Sequence, residues 1–454
     1  MRIIYFDIDS LRPDHLGCYG YHRPTSPNID AIARQGMCFD RFYASDSPCM
    51  PSRHALISGR FGINNGVVTH GGPFSKMAVT ERVYGGPTPE NQLLQRRLRE
   101  GGIDTISISN FPYRHCATWF SFGWTEAHSP DLQSGSEVAP TVNAALLKWL
   151  RHNQGRDDYF LHVNYWDAHR IYKMDGSWAD RFDDFPVEQS WPTTADIEAH
   201  LSNTGPFSAQ RQFPANQSTV DLMPGAVRNR QEFEHMLTGY DAAIAYVDHH
   251  IGQILDELAS QGHLEDTAII ISADHGDAFG EHGIYSDHTN ADETIHRLPL
   301  IVKWPGVAPA GTRDDSMLYH LDLAPTLCEL TGAEVPAQYD GRSFASHLAG
   351  TPDWDRDYLV WTHGLYTLQR GVRTRDHLLL KTFDDHGYPF SPTHLYNMND
   401  DPYMTTDLSE QQPDVAADLN DCYRSWLDQQ SEKPYAMPDP LMGELARRRE
   451  KTDR

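Results

Sequence analysis

No stretch of this sequence approaches the roughly 20 consecutive apolar residues that cross a bilayer, so no membrane partner is expected. No Lys/Arg-rich run occurs, and acidic residues outnumber basic ones 63 to 38, a formal net charge of −25. That balance excludes the basic footprint of a nucleic-acid-binding protein. It also means that a pocket for an anion must be locally positive against an unfavourable global field. Cysteine is sparse. Cys18, Cys38, Cys49, Cys116, Cys328 and Cys422 are scattered without a CxxC pair. In a reducing compartment they read as free thiols rather than as disulfides or a thiolate zinc site. Five fit the role of small buried hydrophobes; Cys49 stands apart. The start, Met1-Arg2-Ile3-Ile4-Tyr5-Phe6-Asp7, is too short for a signal-peptide core and carries a carboxylate. The expected location is therefore cytoplasmic, unless a leader was trimmed. Internal repeats are absent, and 39% hydrophobic with 22% charged residues is a globular composition.

The patterning that is present alternates strands and helices. Arg2 to Asp9, Asp104 to Ser109, Tyr159 to Asn164, Thr267 to Ile271 and Leu298 to Val302 read as buried strands. Ser26-Pro27 opens a helix that Gly36 stops, Pro140 to Leu150 forms another, and Phe233 to Leu258 is a long amphipathic one. This alternation implies a large, mainly parallel sheet flanked by helices. A polar segment at about 175–229 reads as an insertion or lid. After about residue 350 the texture changes to short strand candidates and one helix, Pro413 to Gln429. The expected division is residues 1–350 for catalysis and 351–454 for a smaller antiparallel-sheet subdomain. Arg447 to Lys451 reads as a solvated tail.

Ser47-Pro48-Cys49-Met50-Pro51-Ser52-Arg53 is the most informative segment. Pro51 is placed as a first helical residue and Gly59 as the end, so Cys49 lies just before a helix N-terminus. Unpaired N–H groups and the helix dipole favour an anion there, and Arg53 can point back at it. A nucleophile, a fixed cation and a helix end form an oxyanion-stabilising layout. The C-x-P-S-R pattern of Cys49 to Arg53 resembles the signature of the type I sulfatases. That resemblance implies that Cys49 is converted to Cα-formylglycine by a formylglycine-generating enzyme and that its hydrate attacks sulfur. It also implies an alkaline-phosphatase-like α/β fold.

Two strand ends carry further chemistry. Asp9 ends the first strand, and Asp274-His275 follow the apolar run Ile269-Ile270-Ile271. Carboxylates at the C-terminal edge of parallel strands sit where α/β sheets place their sites. By resemblance, Asp9, Asp274 and His275 ligate a divalent cation, with the modified Cys49 completing the shell and Asp7 as a lesser helper. Many sulfatases have a second Asp where this chain has Ser10. Hard oxygen ligands suit calcium, and an imidazole also tolerates manganese or zinc.

The remaining assignments follow the resemblance by position. His169, after the strand Phe160 to Asn164, corresponds to a His that touches sulfate and the leaving oxygen; His162 within that strand reads as structural. His288 stands where many relatives have a sulfate-binding Lys, and it can bind sulfate or donate a proton. Arg114 and His115 stand in for a missing Lys and His pair. His70, in Thr69-His70-Gly71-Gly72, reads as a turn histidine that can also line the pocket. His363, in the aromatic stretch Trp361 to Tyr366, is a candidate for substrate binding. The expected reaction is hydrolysis of a small sulfated carbohydrate, with Cys49, Arg53, His115, His169 and His288 as the catalytic set. A phosphonate monoester or phosphodiester hydrolase of the same superfamily is the alternative. A non-catalytic anion binder ranks behind both.

Overall fold

The computed structural model describes residues 1–78, 92–131, 137–212 and 221–452. Strands β1 (Arg2–Ile8), β2 (Met37–Tyr43), β3 (Asp46–Ser47), β4 (Asp104–Ile108), β5 (Glu126–His128), β6 (Tyr159–Tyr165) and β7 (Thr267–Ser272) come first. A short hairpin, β8 (Ala278–Phe279) and β9 (Tyr285–Asp287), precedes β10 (Arg297–Lys303), β11 (Thr312–Asp314) and β12 (Leu318–Tyr319). The main sheet runs β11-β2-β10-β7-β1-β6-β4-β5, with β12 beside β2. β1, β6, β7, β4 and β5 pair in parallel, whereas β10 is antiparallel to both β7 and β2. Helices cover both faces, so the central strands are buried on both sides and their sequences are near-continuous apolar runs. The expected α/β architecture, a large mainly parallel sheet with a smaller antiparallel one, is the observed one.

The long helix Arg230–Ser260 is capped by Asn229, whose side chain accepts from Glu232 N–H at 2.9 Å. Its buried stripe packs on helix α1 (Pro27–Gln35) and on the helix Ala139–His152. None of the helices among the described residues is long and apolar enough to cross a membrane.

The second sheet is β16-β15-β14-β13, from Thr393–Asn397, His377–Asp384, Leu368–Arg373 and Leu359–His363, and it is antiparallel. Its fifth strand is β3, which joins β13 in parallel through Asp46↔Thr362 and Ser47↔His363. The helix Pro413–Ser431 lays Leu419, Tyr423 and Trp426 against this sheet. Arg447 to Lys451 are not a loose tail but part of the helix Pro440–Thr452, in which Arg449 to Lys451 are exposed and Arg447 and Arg448 are half-buried. Glu444 within that helix pairs with Arg447 and Arg448, and Arg448 also pairs with Asp384 at 2.8 Å. A basic run reads as solvated only until it is known where its carboxylate partners lie. The polar insertion contains the helix Thr194–His200; its residues 213–220 lie outside the described residues.

Candidate active site

Strand order assembles the site. β7, β1, β6 and β4 are successive neighbours, and their C-terminal ends deliver Asp274 and His275, then Asp9, then His169, then Arg114 and His115. Residues separated by up to 266 positions thus converge without any long-range sequence signal beyond "apolar strand, then polar residue".

Helix α2 (Cys49–Ser58) brings Cys49 to the same edge. Cys49 is its first residue rather than the one before it, and Pro51 is the third, not the first. The first N–H groups of a helix have no internal partner, so a proline there removes no bond. Two side chains anchor this helix. The Ser52 hydroxyl donates to the Asp274 carbonyl at 2.6 Å, and His320 Nε2 lies 2.8 Å from the Ser52 carbonyl. His320 was not expected; nothing in the local sequence separates it from an ordinary buried histidine.

Asp9, Cys49, Asp274 and His275 each offer a ligand atom within 4.8 Å of the others, and all four are buried. His275 Nδ1 is 2.9 Å from the Gly276 carbonyl. A carbonyl only accepts, so Nδ1 carries the hydrogen and Nε2 presents its lone pair to the cluster. Cys49 donates its S–H to that lone pair at 3.0 Å. Burial pushes Asp274 up, because Asp9 and Asp7 crowd it and Arg53 compensates only partly. Burial also opposes ionisation of Asp9, but Arg53 beside it holds this carboxyl well below the ordinary range. Two carboxylates, an imidazole lone pair and the residue-49 position form a donor set that fits a divalent cation. Asp7 is not part of it: its carboxylate takes Arg53 at 2.9 Å and His162 at 3.1 Å. His162 is structural, as read.

Arg53 lies beneath the carboxylates. It bonds Asp7 twice, Asp9 at 3.0 Å, and Asp274. Phe111 and Trp166 cover its guanidinium at 4.8 and 5.4 Å. It therefore neutralises the ligand cluster from below and does not border the open cavity.

That cavity, about 360 Å³, is lined by Cys49, His70, Arg114, His115, His169 and His288. Four histidines here are neutral at neutral pH. Burial drives His70 and His169 well below the ordinary imidazole value, and burial with Arg114 and Arg53 nearby drives His115 down to about 3. Burial likewise lowers His275. His288 is different. Burial would lower it too, but the charge of Asp287 and a 2.7 Å hydrogen bond to Asp277 push it up to about 9. Its ring lies 4.1 Å from that of His275. His70 is thus a pocket residue as well as a turn residue. The cavity also reaches Tyr366, the end of the aromatic stretch noted in the sequence, and Arg170, Lys173 and Phe207, which were not singled out. Arg170 follows His169 directly, a signal that was available; Phe207 sits in a polar segment with no periodicity.

His363 is not placed as expected. It is fully buried behind the nucleophile segment, with Nδ1 2.8 Å from the Ser47 hydroxyl and Nε2 2.6 Å from the Leu365 carbonyl. Its aromatic neighbourhood made it a pocket candidate, but β13 pairs with β3 and its side chain is turned inward.

A sulfatase family model matches residues 2–333, well over half of the chain. The chain belongs to the sulfatase family. A second model, described as N-sulphoglucosamine sulphohydrolase, C-terminal, matches residues 280–429. This sulfatase is 22% identical to an N-acetylglucosamine-6-O-sulfatase of Bacteroides thetaiotaomicron, over 88% of this chain and 81% of that protein. It is 22% identical to a choline-sulfatase of Rhizobium meliloti, over 85% and 78%. Its fold matches a protein solved with its substrate D-glucosamine-2-N,6-O-disulfate at a TM-score of 0.75, 19% identity and 96% and 99% coverage. It also matches a phosphonate monoester hydrolase of Agrobacterium radiobacter at 0.74, 18% identity and 94% and 95% coverage. At these identities the structural likenesses establish the alkaline-phosphatase-like fold. The family membership makes the chain a sulfuric ester hydrolase, and the family implies a metal ion and a cysteine-derived formylglycine.

Proposed function

We propose that this sulfatase cleaves the sulfate ester of a small saccharide through a formylglycine hydrate made from Cys49 by a formylglycine-generating enzyme, with calcium as its metal. The observation that carries the reading is the position of Cys49. It is the first residue of α2, in contact with His275, at the floor of a cavity whose wall holds one imidazolium among neutral histidines.

Hydrated formylglycine supplies the hydroxyl nucleophile. A divalent cation held by Asp9, Asp274 and His275 supplies Lewis acidity toward sulfate oxygens. The protein's own groups do the rest. The N-terminal N–H groups of α2 face the developing negative charge. Arg114, stacked on Trp166 at 4.6 Å, adds a positioned cation to the wall. His288 both attracts the anion and carries the proton that the leaving oxygen needs. His115 is neutral, and its Nε2 is buried without a partner, so it can accept the proton released when sulfate departs. His169 anchors Nδ1 on the Arg170 carbonyl, which leaves Nε2 as an acceptor.

Saccharide as the substrate class is supported by the mixed aromatic and polar wall of the cavity and by the sulfated-sugar relatives. The test is peptide mass spectrometry of the Cys49 segment with assays of sulfated mono- and disaccharides, aryl sulfate and a phosphonate monoester. A thiol-to-aldehyde mass loss with turnover of sulfated sugars is expected. An unmodified thiol in fully active enzyme, or turnover of the phosphonate alone, would overturn the reading. Cys49→Ala is expected to lower kcat by more than about a thousand-fold with an unchanged circular dichroism spectrum.

A further inference from the structure

Tyr366 lines the same cavity as Cys49, yet its backbone is left-handed, with φ of 60°. A tyrosine enters that region only at a cost, and it stays there only when its surroundings over-determine it. The surroundings here are the catalytic segments themselves. Two residues before Cys49, Ser47 bonds His363, and His363 holds the Leu365 carbonyl. On the other side the Thr367 hydroxyl donates to the Thr289 carbonyl at 2.7 Å, next to His288. Arg448, from the C-terminal helix, holds the carbonyl of Tyr366 itself and is anchored on Asp384 and Glu444. The Tyr366 ring packs near Phe207 at 5.9 Å and His386 at 5.4 Å, and the Arg170 guanidinium covers Phe207 at 3.9 Å. Arg170 in turn bonds Asp287 at 2.8 Å.

The geometry points to Tyr366 as the specificity-determining residue of the leaving-group side, an aromatic face on which a pyranose ring stacks while its sulfate lies at Cys49. Arg448 is the positioning residue that keeps this face at a fixed height. A pyranose has an apolar C–H face and a hydroxyl edge. Tyr366 with Phe207 fits the first, and Arg170 with Asp287, whose carboxylate has further lone pairs, fits the second. An alkyl chain offers no edge, and an aryl ring no hydroxyls. This inference rests on the sulfate-ester reading and adds which part of the molecule reads the alcohol.

The test measures dissociation constants in a Cys49→Ala background for a panel of monosulfated pyranoses and for a straight-chain alkyl sulfate. Tyr366→Ala is expected to weaken the best-bound pyranose by about ten-fold or more, while the alkyl sulfate changes by less than about two-fold. Tyr366→Phe should bind like the parent, and Arg448→Ala should shift binding in the same direction as Tyr366→Ala, by less. With Cys49 intact, Arg448→Ala should raise KM for the pyranose and leave kcat nearly unchanged, a split that general destabilisation would not give. Alkyl sulfate binding serves as the control that each variant is folded. Equal weakening of both ligands, or of neither, would overturn the role of Tyr366. Turnover of the alkyl sulfate by the unsubstituted enzyme reports separately on the sulfate-ester reading, so the two fail independently.

Discussion

Burial pushes the Asp274 carboxyl up, and Arg53 does not offset this together with the charges of Asp9 and Asp7. Removing Asp274 should empty the cation site. For Asp274→Ala, elemental analysis is expected to show loss of stoichiometric metal together with loss of activity that added calcium does not restore. Retained metal at a normal rate would move the site elsewhere. His288 gives a second outcome at this scale. Its proton matters most when the departing oxygen is a poor leaving group. His288→Gln is therefore expected to slow alkyl sulfates by about a hundred-fold or more and aryl sulfates by clearly less; an equal loss on both would reduce His288 to an anion-binding role. The cluster of Asp9, Asp274 and His275 was legible because its members follow apolar strands, and Cys49 because its motif is dense. His363 was not, because its side chain points away from the cavity once β3 and β13 pair. Tyr366 ends the aromatic stretch that the sequence marked for substrate binding, whereas Phe207 was invisible because its place depends on loops brought together by contacts far apart in sequence.

Elements show where close packing overrides local preference. Gly239 lies inside the helix Arg230–Ser260, where alanine would ordinarily gain about 1 kcal/mol of helix propensity. Here an added Cβ would sit 1.9 Å from the carbonyl oxygen of Leu222, a backbone atom that cannot rotate away. Overpacking of that kind costs about 1–3 kcal/mol, so the clash decides the sign. Gly239→Ala is expected to lower the thermal midpoint, and a raised midpoint would show that the Leu222 turn of the insertion yields. The strands and long helices that were read from the sequence lie within a few residues of their observed ends, but β2, between β11 and β10 in the main sheet, was not read. Nor was the helix Pro440–Thr452, because its stability comes from Leu441 and Glu444, both buried against the rest of the fold, rather than from its basic surface.

Across the whole molecule, the two sheets meet at β3, and Asp46 is buried at that joint. Its Oδ2 accepts from Ser45 and from Gly62 N–H, while Oδ1 has no partner. Burial pushes this carboxyl from 3.8 up to about 8. The folded protein therefore holds a proton that the unfolded chain has already released between those values. The stability this contributes is intact below 3.8 and declines as pH rises, levelling off above about 8. Asp46→Asn keeps an acceptor oxygen and removes the ionisation. Urea unfolding at about pH 5 and about pH 9 should show a smaller alkaline loss for this variant than for the parent; parallel losses would place the titrating group elsewhere.

The pairing of β3 with β13 also sets an order of events in synthesis. Asp46 and Ser47 leave the ribosome early, but their strand partners, Thr362 and His363, follow more than three hundred residues later. Contacts of such separation form late, after most of the chain has been made. The nascent chain can close its central parallel strands while the segment bearing Cys49 still lacks its neighbour. The strand partner of the segment leading to Cys49 thus arrives with the C-terminal sheet, and an N-terminal fragment that ends before residue 359 would lack it.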